Sequence, residues 1–196
     1  MTEKEKIHHG LLYDANYDPE LIAEREHAAG LCYDLNALRP SQTAEAAHIL
    51  TALLGSRKEN CTILPPFWCD YGYNIHVGEN FFANHGCVIL DGAPVTFGDN
   101  VFIAPQCGFH TAGHPLDVER RNRGLEYALP ITVGDNVWIG AGVHVLPGVS
   151  IGSNTVIGAG SLVNKDIPDG VLAAGNPCKV IRKLSEADIL KYRETL

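Results

Sequence analysis

The chain has 196 residues and a formal net charge of −8, with 15 basic and 23 acidic side chains. This length suits one compact domain with small attachments. The acidic balance argues against a nucleic-acid partner or an anionic membrane surface, because both need basic patches. No apolar run approaches the roughly 20 residues of a membrane helix, and the opening M-T-E-K-E-K lacks the apolar core of a signal peptide. We therefore expect neither a nucleic-acid nor a membrane partner.

Residues 1–58 are predicted to form an N-terminal helical module. Asp18 is a suitable N-cap, and Pro19 follows it at the first helical position. This helix is expected to continue through residues 20–29 and to end at Gly30. A second helix is predicted from about residue 43 to residue 54.

Between Val77 and Ile167 the sequence repeats every six residues, and most hexads begin with an apolar residue. The regular hexads begin at Val133, Ile139, Val145, Ile151, Ile157 and Val163, and looser ones begin at Val77, Ala83, Ile89, Phe97, Ile103 and Phe109. A short fixed period is typical of a solenoid, in which each unit buries its apolar face against its neighbours. A β-sandwich is disfavoured because its turn signals recur every 8–12 residues. We predict an all-β fold, a left-handed parallel β-helix over residues 59–184.

Two segments depart from this repeat. A polar stretch at residues 115–130 interrupts the hexads and is predicted to form a protruding loop. A loop of this length is more often functional than idle. Residues 185–196 are predicted to form a short C-terminal helix, opened by the capping-box-like S-E-A-D at residues 185–188.

The cysteines are spread over the chain without a CxxC pair: Cys32, Cys61, Cys69, Cys87, Cys107 and Cys178. Cys87 and Cys107 occupy the fifth hexad position, where a small apolar side chain is suitable. We expect reduced structural thiols in a cytoplasmic protein.

Several motifs together carry a family resemblance. They are C-D-Y-G-Y-N-I-H-V-G at residues 69–78, T-A-G-H-P-L-D at 111–117, I-T-V-G-D-N-V-W-I-G-A-G at 131–142 and A-G-N-P at 174–177. Their combination closely resembles the sugar O-acetyltransferases, the maltose and galactoside acetyltransferases, and leans to the maltose-type branch. The resemblance covers essentially the full length. It implies transfer of an acetyl group from acetyl-CoA to a sugar hydroxyl, in a homotrimer with active sites between subunits.

The resemblance also assigns a catalytic base. A hydroxyl is a poor nucleophile until a base removes its proton, and histidine suits that task. His114 matches the catalytic histidine of the family, and Asn84 matches a residue that hydrogen-bonds the acceptor nearby. Glu126 lies in the loop that reaches the active site in the family, where a carboxylate could orient the imidazolium or bind a hydroxyl. As alternatives, His114 could cap a loop turn and Asn84 could serve only as a solenoid turn residue.

Further residues match the acceptor side of the family's site. Asp70 aligns with a polar acceptor-site residue, although a surface turn is an alternative for it. Asp91 stands next to Gly92, where galactoside-type relatives carry an acid that contacts the sugar. Trp138 aligns with an aromatic residue at the acceptor or pantetheine cleft. The N-terminal acceptor contact falls at Ala15 or Asn16, and we favour Asn16.

The acetyl-CoA side follows from the same resemblance. The backbone N–H of Ala141 matches the donor to the thioester oxyanion. Small residues that let the pantetheine arm approach closely are Ala159 and Gly160. The positions expected to bind near the CoA phosphates are Asn164, Lys165, Lys179 and Arg182, of which Asn164 and Lys179 replace a common Thr and Arg. An ordinary solvated side chain is the alternative for each cation.

Two other classes of protein share this type of solenoid. A zinc enzyme of the gamma carbonic anhydrase type holds its metal with three histidines across a subunit interface. The candidate metal ligands in this chain are His76, His85, His110, His114 and His144. The mechanism of such a zinc enzyme does not need the helical module, the loop or the basic residues of this chain, so we expect no metal. A binding or scaffolding β-helix without catalysis is the third reading. The sequence does not name the sugar, the hydroxyl acetylated or the acyl chain preferred.

Overall fold

The structure is a computed structural model that describes residues 1–189. Its helices are α1 (Glu3–His8), α2 (Pro19–Ala37), α3 (Thr43–Leu53), α4 (Val118–Asn122) and α5 (Glu186–Ile189). Its strands up to the loop are β1 (Tyr13–Asp14), β2 (Ser56–Arg57), β3 (Thr62–Ile63), β4 (Phe67–Cys69), β5 (Ile75–Val77), β6 (Phe82–Ala83), β7 (Cys87–Leu90), β8 (Val95–Phe97), β9 (Phe102–Ile103), β10 (Gly108–His110) and β11 (Ala112–Gly113). The later strands are β12 (Leu125–Ala128), β13 (Ile131–Val133), β14 (Trp138–Ile139), β15 (His144–Val145), β16 (Ser150–Ile151), β17 (Val156–Ile157), β18 (Leu162–Val163), β19 (Val171–Ala174) and β20 (Lys179–Lys183).

Three parallel sheets form the faces of a solenoid, and successive strands of the chain pass from one face to the next. Face one contains β2, β5, β8, β13 and β16; face two contains β3, β6, β9, β14, β17 and β19; face three contains β4, β7, β10, β15 and β18. Strand β20 adds to the end of face two in the antiparallel direction. The predicted left-handed parallel β-helix is therefore confirmed.

The hexad-opening residues stack inside the solenoid as predicted. On face two, Ile103, Ile139 and Ile157 are paired neighbours in register and are almost completely buried. On face three, Val145 pairs with Val163, and both are fully buried. Each such side chain contributes about 1.5–3 kcal/mol by leaving water. The repeat therefore produces one continuous apolar core along the axis.

The corner between faces one and two is built by asparagines. Asn100, Asn136 and Asn154 have φ angles of 56°, 56° and 55°, and asparagine tolerates this left-handed conformation better than other non-glycine residues. Their side-chain amides hydrogen-bond in a ladder, with Nδ2 to Oδ1 distances of 3.2 and 3.0 Å. The same residues thus satisfy the turn and link successive coils.

Both predicted N-terminal helices are present, as α2 and α3, but α2 is longer than predicted. Asp18 caps α2 by accepting a hydrogen bond from the Leu21 amide at 2.9 Å, as expected. The helix then passes through Gly30 and ends at Ala37. A glycine inside a helix costs about 1 kcal/mol, whereas Cys32 and Leu35 beyond it are buried in the main core. The burial of this last segment outweighs the glycine.

The solenoid begins before the predicted boundary. Strand β2 lies within residues 1–58 and pairs with β5, so the first coil starts at Ser56. At the other end, α5 begins at Glu186, and the rest of the predicted helix over 185–196 lies outside the described residues. In the part of the chain that the structure describes, no helix is long and apolar enough to cross a membrane.

Candidate active site

A small antiparallel sheet joins the N-terminal module to the protruding loop. Strand β12 of the loop lies between β1 of the module and β11, which ends just before His114. In this register Tyr13 lies opposite Glu126, and Gly113 lies opposite Tyr127. The sheet therefore brings His114, Glu126 and the first residues of the chain to one place, at the corner between faces three and one.

His114 has a defined hydrogen bond on one ring nitrogen. Its Nδ1 lies 3.0 Å from the carbonyl oxygen of Leu125. A carbonyl only accepts, so Nδ1 carries the proton and the neutral ring keeps its lone pair on Nε2. That Nε2 lies 3.9 Å from Oε1 of Glu126, and the His114 side chain is half exposed. The arrangement leaves Nε2 accessible and able to accept a proton.

Glu126 is held on its other side by a buried tyrosine. The Tyr13 hydroxyl donates to Oε2 of Glu126 at 3.1 Å. Tyr13 is only 1% exposed, and burial together with the Glu126 charge raises the pKa of its hydroxyl. Tyr13 therefore stays a donor throughout the physiological pH range.

A small polar pocket of about 120 Å³ opens beside these residues. It is lined by Tyr13, Ala15, Asn16, Arg25, Asp70, Tyr71 and Glu126. Ligand pockets for drug-sized molecules have about 300–1,000 Å³, so this one accommodates part of a small polar ligand. Arg25 braces one wall, donating to the Tyr71 hydroxyl at 2.7 Å and to the Ala15 carbonyl.

The pocket carries more negative than positive charge. Burial, together with the charges of Asp91 and Glu126 and against a partial lowering by Arg25, raises the pKa of Asp70 to about 6. Asn16 lies at the rim and donates from Nδ2 to the Gly124 carbonyl at 2.7 Å, which ties the module to the loop. Carboxylate oxygens that face a cavity are good acceptors for hydroxyl groups.

Asp91 does not line this pocket, contrary to the expected acceptor contact. Its side chain is fully buried, and Oδ1 accepts from the backbone amides of Asp70 and Tyr71 at 3.0 and 2.9 Å. Its Oδ2 finds no hydrogen-bond partner within residues 1–189, and burial raises the pKa of the carboxyl group. Because a buried carboxylate cannot reach an acceptor, Asp91 instead fixes the turn that presents Asp70.

The remaining residues that were predicted to contact the acceptor lie on another edge of the solenoid. Asn84 follows β6 at the corner between faces two and three, where its Oδ1 accepts from the His85 amide at 2.8 Å. Trp138 projects outward from face two beside Phe102, and the two are 55% and 43% exposed. Asn84 and His114 lie at opposite edges of face three. One hexad spans that face, so its width is at most about 20 Å. A single chain therefore holds two separate groups of predicted site residues.

The residues predicted to contact acetyl-CoA are divided in the same way. Exposed Ala141, Ala159 and Gly160 share the Asn84 edge, and no hydrogen bond from the Ala141 amide is found among the described residues. Asn164 and Lys165 are exposed just after β18, on the edge that also carries the pocket.

The two cations of β20 differ in their surroundings. Lys179 is exposed, and its ammonium has no ion pair in the described part of the chain. Arg182 donates from both Nη atoms to the Asp188 carboxylate, at 2.8 and 2.5 Å. A phosphate would have to compete with that carboxylate for the Arg182 guanidinium.

Comparisons with known proteins identify the chain. A model of the maltose acetyltransferase hexapeptide capping motif matches residues 6–58, and a model of the bacterial transferase hexapeptide (six repeats) matches residues 130–165. A galactoside O-acetyltransferase of Escherichia coli is 43% identical over 96% of this chain and 92% of its own. The chain belongs to the maltose and galactoside O-acetyltransferase family. The resemblance seen in the sequence is thereby confirmed.

Other members of the family extend the comparison. A putative acetyltransferase of Saccharomyces cerevisiae is 59% identical over 94% of both chains. A maltose O-acetyltransferase from Clostridium difficile superposes with a TM-score of 0.91 and 50% identity, over 95% of this chain and 99% of that one. A galactoside acetyltransferase in complex with coenzyme A superposes with a TM-score of 0.94 and 42% identity, over 99% and 97% of the two chains. These relatives favour an acetyltransferase and give no support to the zinc-enzyme alternative.

Three residues of the pocket were not predicted from the sequence. Tyr13, Arg25 and Tyr71 reach the pocket from the N-terminal module and the first coil. Of the three, Tyr71 lies in a motif that carries the family resemblance, at residues 69–78. The contact of Tyr13 depends on the register between β1 and β12, which joins residues more than a hundred positions apart. No local periodicity encodes such a pairing.

Proposed function

We propose that this acetyltransferase moves the acetyl group of acetyl-CoA to a hydroxyl of a sugar, a maltose-, glucose- or galactoside-like acceptor, with His114 as general base. The observation that carries the proposal is the hydrogen bond between His114 Nδ1 and the Leu125 carbonyl, because it leaves Nε2 free to take a proton. The relative with coenzyme A bound supports the donor, as does a hexapeptide-repeat acetyltransferase of Vibrio cholerae in complex with acetyl coenzyme A, 37% identical and with a TM-score of 0.86.

The chemistry is a direct transfer. The acceptor hydroxyl gives its proton to Nε2 of His114 while its oxygen forms a bond to the thioester carbon. The C–S bond then breaks, and the imidazolium returns the proton to the CoA sulfur. Glu126, 3.9 Å from Nε2, stabilises the imidazolium while it exists. The amide of Ala141 donates to the oxyanion that develops on the thioester oxygen.

The acceptor lies in the polar pocket. Asp70 and Glu126 accept hydrogen bonds from sugar hydroxyls, and Asn16 contributes an amide at the rim. A neutral polyhydroxy compound suits a pocket with this charge, whereas an anionic acceptor would be repelled. Asn84 and Trp138 complete the acceptor site from a second copy of the chain.

The assembly that joins the two halves is a homotrimer. The pocket edge of one copy faces the edge with Asn84, Trp138 and Ala141 on the next copy. The outward pairs Phe82 with Phe102 and Phe102 with Trp138 form an apolar stripe along face two, which a neighbouring copy would cover. In this arrangement Lys165 of one copy and Lys179 of the next lie along the cofactor, where they bind its phosphates together with Arg182.

Mixed trimers test this shared site. Inactive His114→Ala and Asn84→Ala chains, unfolded together and refolded as a mixture, should regain about a quarter of the native sites, because each site takes one edge from each of two chains. His114→Ala mixed with Glu126→Gln is the control and should regain nothing, since both residues belong to one edge. Equal recovery in both mixtures, or a monomer in light scattering, would contradict the shared site.

The reaction itself is tested by release of free CoA. Wild type is incubated with acetyl-CoA and a panel of maltose, glucose, galactosides and chitooligosaccharides. Turnover with at least one sugar supports the proposed acceptor class. CoA binding without turnover on any sugar would refute that acceptor class, but it would still support acetyl-CoA as the donor.

We also propose a cytoplasmic location. All six cysteines are free thiols, although the sulfurs of Cys32 and Cys69 are only 3.7 Å apart. A reducing compartment preserves such a pair. Fractionation of the native cell, with a thiol count on the purified chain, tests this.

A further inference from the structure

Tyr13 lines the pocket, and its hydroxyl has two neighbours there, Glu126 and Gly92. The hydroxyl donates to Oε2 of Glu126 at 3.1 Å. It also lies over Gly92, where an added Cβ would come within 2.9 Å of the hydroxyl oxygen. The same Cβ would lie 3.4 Å from Cβ of Ala128 and 3.7 Å from Oγ1 of Thr111. One hydroxyl group therefore both binds the loop carboxylate and fills the space above a glycine.

We propose that Tyr13 is a positioning and specificity-determining residue: it orients Glu126 towards His114, and its hydroxyl takes the volume that a side chain at position 92 would use. The inference rests on the proposed function for its catalytic part. Its packing part depends only on the geometry of the pocket.

The orientation of Glu126 follows from the register of the sheet. Tyr13 and Glu126 are directly opposite on β1 and β12, and directly opposed side chains lie on one face of the pair. With Oε2 held by Tyr13, the carboxylate presents Oε1 to Nε2 of His114. Without the hydroxyl, the carboxylate is free to rotate about its last bond. The imidazolium would then lose a fixed counter-charge.

The role of Gly92 follows from what surrounds it. Tyr13 is fully buried and its hydroxyl is tied to Glu126, so it cannot move aside without breaking that bond. Any residue larger than glycine at position 92 must displace the hydroxyl. Tyr13 therefore determines which groups line this wall of the acceptor pocket. Its hydroxyl provides one neutral donor from β1, and the coil that carries Gly92 provides no side chain.

The first test compares Tyr13→Phe with Tyr33→Phe. Both changes remove one hydroxyl, but Tyr33 lies exposed on α2. A hydrogen bond to a charged group is lost only in Tyr13→Phe, so its kcat/KM for the acceptor should fall about ten- to hundredfold, while the KM for acetyl-CoA stays unchanged. Kinetic constants equal to those of Tyr33→Phe would overturn the positioning role.

The second test needs no acetyl transfer. Gly92→Ala should lower the unfolding midpoint in the wild-type background, and clearly less in the Tyr13→Phe background, where the hydroxyl is gone. Equal losses in both backgrounds would overturn the packing role.

NMR provides a second readout that is independent of turnover. The His114 ring signals, assigned by their loss in His114→Ala, should change their pH titration in Tyr13→Phe and not in Tyr33→Phe. An unchanged titration would overturn the positioning role even if no acceptor is found. Failure of the CoA-release panel alone would count against the proposed function and not against these two results.

Discussion

Asp70→Asn should make the protein more stable at pH 8 and less active. Asp70 lies in a partly enclosed pocket between two other carboxyl groups, and its pKa rises from 3.8 to about 6 on folding. Its ionised form is therefore disfavoured in the folded protein relative to the unfolded chain. An asparagine has nearly the same shape and carries no charge, so it removes this cost.

The size of the effect follows from the shift. A difference of about two pKa units, at 1.36 kcal/mol per unit, corresponds to about 3 kcal/mol. Below about pH 4 Asp70 is protonated in both states, and the variant gains nothing. Between pH 4 and 6 the unfolded chain loses its proton first, which lowers wild-type stability. Above pH 6 both states are ionised and the full difference of about 3 kcal/mol remains.

The assay is urea unfolding followed by tryptophan fluorescence, at several pH values from 4.5 to 8 and at one protein concentration. The gain of Asp70→Asn over wild type should grow with pH and level off above pH 6. Asp34→Asn, an exposed position on α2, is the matched control and should show no trend. A gain that is equal at pH 4.5 and 8, or a loss of stability at pH 8, would contradict a raised pKa of Asp70 in the folded protein.

Three further predictions concern the core, the corners and the cofactor. Ile139→Ala, in the centre of face two, should lower the free energy of unfolding by about 2–5 kcal/mol. Its control, Thr132→Ala on the exposed side of β13, should change that free energy by less than about 0.5 kcal/mol. Equal losses of the two variants in denaturant unfolding would contradict the stacked core. Asn136→Ala should cost about 1 kcal/mol because its φ of 56° is left-handed, and Asn136→Gly should cost less; the reverse order would contradict the strained corner. Lys165→Ala and Lys179→Ala should each raise the Kd of acetyl-CoA severalfold in calorimetry, and by less at high salt. Exposed Lys58→Ala is the control. An unchanged affinity in both variants would show that neither lysine binds the phosphates.

The fold could be predicted because its information is local. Each hexad carries its own apolar residue, and stacking like residues in register is enough to define the core. The end of α2 could not be predicted in this way, because Gly30 is locally unfavourable and only the burial of Cys32 and Leu35 keeps the helix going.

The pocket shows more clearly what could not be predicted from the sequence. His114 and Glu126 are only twelve positions apart in the sequence, and their Nε2 and Oε1 atoms lie 3.9 Å apart. Tyr13 comes from the opposite end of the chain, so its contact with Glu126 depends on strand register. Asp91 was expected to face the acceptor but is turned inward, because its Oδ1 is needed by two backbone amides of the neighbouring coil. Residue type alone does not distinguish these two orientations.

We propose that His114 activates a sugar hydroxyl for attack on acetyl-CoA. The most direct measurement is the amount of acetylated sugar formed per CoA released, by mass spectrometry and NMR, for wild type and His114→Ala. We expect one acetyl ester on the sugar for each CoA released, and a loss of about 10²–10⁴-fold in the variant. CoA release without an acetylated sugar, or equal rates in the two proteins, would contradict it.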